Sequence, residues 1–239
     1  MIINLPMKSH RLRTLQTILL LLASTTLIST PALASGKKAP PARPARDYPA
    51  YDSHAEDHVT IAIDPCTRPD DCDFFRLPYI RHSLIPVRVI ITNDSDTPLD
   101  LSEARMQFIS ANNDKLPAAT EDDINRRLFS TKEAKGTKIP LTNIPVHHAP
   151  VDKKITQDTD DFGFKSTTVA PHTTEAGYLF YDIKDLDDDS NSSPLKNAQI
   201  YIKMIHTAAG KELFAFSIPF NKALNASPGS SKPAESAKN

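Results

Sequence analysis

The clearest pattern along the chain is an alternation of hydrophobic and polar positions with a period of two. In the longest run, every second residue from Ile85 to Ile91 is Ile or Val, while Arg88 and Thr92 occupy the other parity. Similar runs occur at residues 59–63, 105–108, 198–204 and, more weakly, 213–218. Successive side chains of a strand point to opposite faces, so this pattern predicts half-buried β-strands.

Turn-forming residues separate these runs. They lie at residues 93–96 (NDSD), 112–114 (NND) and 208–211 (AAGK). The last group lies between two predicted strands and is typical of a hairpin loop. Several short strands with frequent turns and little helix favour an all-β fold, namely an antiparallel β-sandwich.

The pattern predicts one short helix. Thr120 is a good N-cap residue, and acidic residues at 121–123 suit the positive end of the helix dipole. Ile124, Leu128 and Phe129 then form a narrow apolar stripe. We expect residues 132–157 to lie on the surface, with at most short extended pieces around 139–141 and Ile155.

Two segments of the chain contain short motifs next to predicted strands. Residues 87–99 (VRVIITNDSDTPL) are similar to a strand followed by T-N-x-S/G-x and a proline. Residues 170–183 (APHTTEAGYLFYDI) are similar to a P-G-x-x-x-x-G-x-L-x-F element, with His172 in place of the first glycine. With these motifs, about residues 48–224 resemble the immunoglobulin-like domains of uncharacterised exported bacterial proteins, and the resemblance implies an immunoglobulin-like sandwich. It implies no activity and no catalytic residues.

The start of the chain has the three parts of a secretory signal peptide. Lys8, Arg11 and Arg13 precede a short apolar stretch at residues 15–28, and an A-x-A pattern ends at Ala34. We expect cleavage after Ala34, with an uncleaved anchor as the alternative. The mature protein is then exported, periplasmic or extracellular, and has no transmembrane span.

The predicted domain organisation has four parts. They are a signal peptide at 1–34, a disordered Pro/Lys/Arg-rich tether at 35–47, a β-sandwich domain at 48–224 and a disordered tail at 225–239. The length of 239 residues, of which 39% are hydrophobic, suits one domain of ordinary size. Residues 48–224 carry 19 basic and 27 acidic residues, a balance of −8, which opposes nucleic-acid binding.

The chain has two cysteines, Cys66 and Cys72. In an oxidising compartment two nearby thiols pair, so we expect a disulfide that closes a short loop. A zinc site needs further ligands, and a redox motif prefers only two residues between its cysteines.

No residue set identifies a metal site, a cofactor or a catalytic centre. His54 and His58 are four apart but lie in or near a predicted strand, and His147 and His148 are adjacent without further ligands. The acidic turn that contains Asp185, Asp187 and Asp189 lacks the glycine and glutamate of a calcium loop. The sequence has no nucleophile elbow and no phosphate-binding loop, so we do not expect an enzyme.

A candidate partner face contains Tyr178, Phe180 and Tyr201. If Leu179 and Tyr181 face the core, Tyr178 and Phe180 point outward, and Tyr201 lies on the outer face of its own strand. Exposed apolar patches often mark contact sites. The alternative is that residues 132–175 fold over this face.

These observations predict an exported, non-catalytic binding or structural module of the cell envelope that acts through protein–protein contacts. The partner is an unidentified envelope protein. The alternative is a periplasmic carrier of a small molecule or a metal ion, which would use His147, His148 and the acidic turns.

Overall fold

The computed structural model describes residues 39–68, 70–128, 137–138, 145–146, 151–186 and 193–226. The strands are β1 (Ala50–His54), β2 (Val59–Pro65), β3 (Leu84–Asn93), β4 (Leu99–Asp100), β5 (Arg105–Ile109), β6 (Lys115–Pro117), β7 (Thr137–Lys138), β8 (Pro145–Val146), β9 (Thr168–Val169), β10 (Thr173–Asp182), β11 (Gln199–Lys203), β12 (His206–Thr207) and β13 (Phe216–Pro219). The α-helices are α1 (Glu121–Leu128), α2 (Val151–Phe162) and α3 (Phe220–Leu224). Short 3-10 helices span Ala45–Asp47 and Tyr79–His82.

The strands form antiparallel sheets. The first sheet has the order β1-β2-β3-β10, and the second has the order β13-β11-β5-β6. A small third sheet has the order β12-β4-β9, and β7 pairs with β8. The prediction of a mostly β chain built from antiparallel strands is therefore confirmed.

The first two sheets share one hydrophobic core. The first sheet contributes the alternating residues predicted from the sequence, including Ile61, Val87 and Val89, and the second contributes Ile200 and Phe216. All five are completely buried. Phe214 departs from the predicted pattern, because β13 begins only at Phe216 and the Phe214 side chain is 79% exposed.

The edges of the two sheets meet on both sides of this core. On one side, the Ala119 N–H just after β6 donates to the carbonyl oxygen of Phe180 in β10, at 2.7 Å. On the other side, the Ser217 N–H of β13 donates to the carboxylate of Asp52 in β1, at 2.9 Å. At each of these two places, a backbone donor at the sheet edge is therefore already satisfied within the chain.

The outer face of the first sheet is covered in part by the segment that precedes β1. Ala45 and Tyr48 are buried against Ala62 and Ile90, which point outward from β2 and β3. The Ala45 N–H also donates to Thr92 Oγ1 at 2.8 Å. Residues 39–47, part of the predicted disordered tether, thus contact this sheet through Ala45, which is completely buried.

The expectation of a single short helix is wrong as well. Helix α1 has the predicted cap, since Thr120 Oγ1 and the Asp123 carboxylate bond each other and each other's backbone N–H groups. However, Val151–Phe162, which we expected to begin in a surface segment, is a second helix. Its sequence is mostly polar, and Ile155 and Phe162 are its only buried hydrophobic residues.

Two parts of the predicted organisation lie outside the described residues. These are the signal peptide at 1–34 and the tail from residue 227 onward. In the part of the chain that the structure describes, none of the helices is long and apolar enough to cross a membrane.

Candidate binding surface

Cys66 and Cys72 form a disulfide, with their Cα atoms 5.9 Å apart. The bond closes a loop at the end of β2, and the chain then passes over the outer face of the first sheet. Cys66 packs with Phe74, Phe162 and Tyr178 in one buried cluster. The disulfide thus fixes the start of the segment that covers β10.

Of the two alternatives for Tyr178 and Phe180, an exposed face or a face covered by residues 132–175, the structure shows the covered one, since Ile155 and Phe162 pack against these side chains. Tyr178 and Phe180 both point to the outer face of β10, as the alternation predicts, but only 5% and 3% of their surfaces are exposed. Phe74 and Phe75 approach the Tyr178 ring to centroid distances of 5.6 and 5.2 Å. The aromatic residues therefore build a second core on the outer side of the sheet.

Helix α2 is held over this second core by a buried carboxylate. Asp158 is completely buried and accepts hydrogen bonds from the Arg76 N–H at 3.0 Å, the Arg76 guanidinium at 2.7 Å and the Tyr79 hydroxyl at 2.9 Å. Arg76 also reaches Asp161 at 2.5 Å. These bonds connect α2 with the segment that follows the disulfide.

Burial dominates the titration of these groups. It raises the pKa of Asp158 above the ordinary value, while the hydrogen bonds from Arg76 and Tyr79 act in the opposite direction. Burial, reinforced by the neighbouring Asp158 charge, raises the pKa of Tyr79 far above that of a free tyrosine. Burial also raises the pKa of Tyr178. These tyrosines are therefore neutral and structural over the physiological pH range.

Tyr201 lies on a different surface, the outer face of the second sheet. Its side chain is half-buried, and the cross-strand partners of its backbone are Gln107 in β5 and Ser217 in β13. The residues that share this face are Arg105, Gln107, Ile109, Lys115, Pro117, Gln199, Tyr201, Lys203, Ser217 and Pro219. All of them except Ile109 are exposed or half-buried. The sequence therefore placed Tyr201 on an outer face correctly, but not on the same face as Tyr178 and Phe180.

The two outer faces differ in their packing. On the first sheet, the outward residues Thr60, Arg88 and Thr92 are at most 6% exposed, although they are polar. On the second sheet, four of the ten outward residues are exposed and five, including Tyr201, are half-buried. We define the ten residues on its outer face as the Tyr201 face.

The charges of the Tyr201 face are all positive. Arg105 stands directly opposite Lys203 on neighbouring strands, and Lys115 lies on the adjoining β6. Among the residues described, none of the three has a carboxylate within ion-pair distance. Sequence reasoning missed this pair, because the signal lies in the register between β5 and β11 rather than in either strand.

A cleft lies between β6 and α1. This cleft of about 370 Å³ is lined by Arg126 and Arg127 together with Asp123 and Asp182. Arg126 pairs with Asp123, and Arg127 pairs with Asp182. Because these charges neutralise each other, the described residues that line the cleft leave no charged group uncompensated.

The residues weighed as metal ligands are not assembled in the described part of the chain. The His54 ring stacks on Phe216 at a centroid distance of 3.8 Å, and Asp185 is 91% exposed and 3.9 Å from Arg127. Among the described residues, no group of three His, Cys, Asp or Glu side chains could hold a metal ion. His147, His148, Asp187 and Asp189 lie outside those residues.

Comparison with known proteins found no matching family model, no similar curated protein and no similar solved structure.

Proposed function

We propose that this protein is an exported, non-catalytic binding module of the cell envelope that acts through protein–protein contacts on the Tyr201 face. The observation that carries the proposal is the difference between the two outer faces. One sheet is covered by the N-terminal segment, the disulfide-linked segment and two helices, whereas the outer face of the other has an exposed arginine beside a half-buried tyrosine and half-buried glutamines.

The composition of this face suits a protein partner. Tyrosine and arginine are enriched in protein interfaces, because each combines a large contact area with hydrogen-bonding groups. The face is also rigid, since it is formed by hydrogen-bonded strands whose opposite sides pack into the main core. A rigid surface loses little conformational entropy on binding.

The same proposal includes an immunoglobulin-like sandwich as the scaffold. Two antiparallel sheets share a core. His172 occupies the turn position at which the immunoglobulin-like domains that this chain resembles have glycine. His172 has a φ of 55°, in the left-handed region that favours glycine. The histidine thus adopts the backbone conformation that the turn motif requires.

Site-specific photo-crosslinking in intact cells tests the proposed surface. A photoreactive residue at Gln107, directly opposite Tyr201, is expected to give a discrete protein adduct. The matched control is Glu56, an exposed residue in the turn between β1 and β2. Absence of an adduct at Gln107, or an equal adduct at Glu56, would refute the assignment of this face.

Export is tested separately by N-terminal sequencing of the protein isolated from the periplasm or the medium. We expect the mature chain to begin at Ser35. A chain that retains its first residues and stays in the cytoplasm would contradict this part of the proposal.

A further inference from the structure

The Tyr201 face contains a local arrangement that ordinary sheets avoid. Arg105 and Lys203 are direct cross-strand neighbours and point to the same side of the second sheet. Like charges in this position repel each other and destabilise the pair of strands. Such a departure from a local rule is expected where a residue is kept for binding.

Several arginines elsewhere in the described residues are paired with acidic side chains. Arg46 bonds Asp94 at 2.6 Å, and Arg76 bonds Asp158 at 2.7 Å. Acidic residues are plentiful, since residues 48–224 contain eight more acidic than basic side chains. The Arg105–Lys203 pair is nevertheless left without a carboxylate among the described residues.

We infer that the partner bound by the Tyr201 face is a protein that presents aspartate or glutamate side chains to the Arg105–Lys203 pair. This inference rests on the proposed function. A carboxylate placed between the two cations removes their repulsion, and an arginine can hold it through two parallel hydrogen bonds. Gln107 and Tyr201, next along the same two strands, supply further hydrogen bonds and a flat apolar contact beside the charged centre.

The chemistry favours an acidic protein over an extended polyanion or an anionic membrane. The face has three cations, Arg105, Lys115 and Lys203, whereas tight binding to a phosphate polymer neutralises many charges. The acidic excess over the rest of the domain also repels a large negative surface. A small acidic patch on a partner protein can contact the three cations while staying away from the acidic residues on the rest of the domain.

The test uses the purified protein labelled with ¹⁵N and two defined probes, poly-L-glutamate and phosphatidylglycerol vesicles. We expect poly-L-glutamate to shift the amide signals of Arg105, Tyr201 and Lys203 in a saturable way. We expect the double variant Arg105→Gln, Lys203→Gln to bind poly-L-glutamate at least tenfold more weakly. The control variant Lys153→Gln, Lys154→Gln removes two cations from α2 and is expected to leave the affinity unchanged.

Three results would overturn the inference. In the first, poly-L-glutamate shifts mainly the amide signals of other cationic residues. In the second, the control variant binds poly-L-glutamate as weakly as the Arg105→Gln, Lys203→Gln variant. In the third, the vesicles shift the signals of the Tyr201 face as strongly as poly-L-glutamate does. Photo-crosslinking at Gln107 separates this inference from the proposed function. An adduct that is unchanged in the Arg105→Gln, Lys203→Gln variant overturns the acidic partner but leaves the surface assignment standing, whereas absence of any adduct overturns the proposed function itself.

Discussion

Asp158 is the residue whose removal should most directly release the cover of the first sheet. In Asp158→Ala, the Arg76 N–H and the Tyr79 hydroxyl lose their acceptor, while the Arg76 guanidinium keeps Asp161. A buried donor without a partner, here the Tyr79 hydroxyl, costs about 1–3 kcal/mol, and the part-buried Arg76 N–H adds a smaller cost. Loss of the bond from the Arg76 guanidinium adds little to this cost, because the Arg76 side chain is 32% exposed and water can hydrate it. We therefore expect the free energy of unfolding to fall by about 2–4 kcal/mol.

Urea denaturation followed by far-UV circular dichroism measures this loss. The matched control is Asp161→Ala, which removes the other carboxylate bound to Arg76. Because the Asp161 side chain is 48% exposed, its ion pair should contribute less than about 1 kcal/mol. A loss below about 1 kcal/mol in Asp158→Ala, or equal losses in both variants, would refute the conclusion that Asp158 holds α2 over the second core.

The same carboxylate predicts a pH dependence. The pKa of Asp158 is raised in the folded protein above its ordinary value of 3.8. At pH values between 3.8 and this raised pKa, the folded chain therefore binds more protons at Asp158 than the unfolded chain does. The free energy of unfolding that Asp158 contributes therefore falls as pH rises through this window. We expect the stability difference between the natural protein and Asp158→Asn to be larger near pH 3 than near pH 7, measured by urea denaturation at both pH values. A stability difference that increases from pH 3 to pH 7 would contradict this expected direction.

Three further changes test other parts of the fold, each measured by the same denaturation assay. Replacing Cys66 and Cys72 by serine opens a seven-residue loop and should cost about 2 kcal/mol, whereas a reducing agent should leave the double variant unaffected. Gly177→Ala would place a Cβ 2.3 Å from the Phe164 Cα and should cost about 1–3 kcal/mol or more, so a neutral result would contradict the close approach of these two segments. Thr120→Ala removes the cap of α1 and should cost about 1 kcal/mol, while Thr120→Ser should be nearly neutral.

The alternation of residue types predicted β2, β3, β5 and β11 and the side of each of these strands that enters the main core. It did so because burial between two sheets selects every second residue, as in Val87 and Val89 of β3. It could not predict that all ten residues of β3 are buried, including Arg88. A polar residue on the other parity is expected on an open face, and only the tertiary structure shows which segments cover it.

The candidate site illustrates the same division. The sequence pattern alone predicted an antiparallel β fold, a capped helix at Thr120 and the outward position of Tyr201. Only the tertiary structure decided that Tyr178 is covered and that Arg105 meets Lys203. The reason is that local periodicity reports the environment of one strand, whereas the register between β5 and β11 and the packing of α2 depend on residues far apart in the chain.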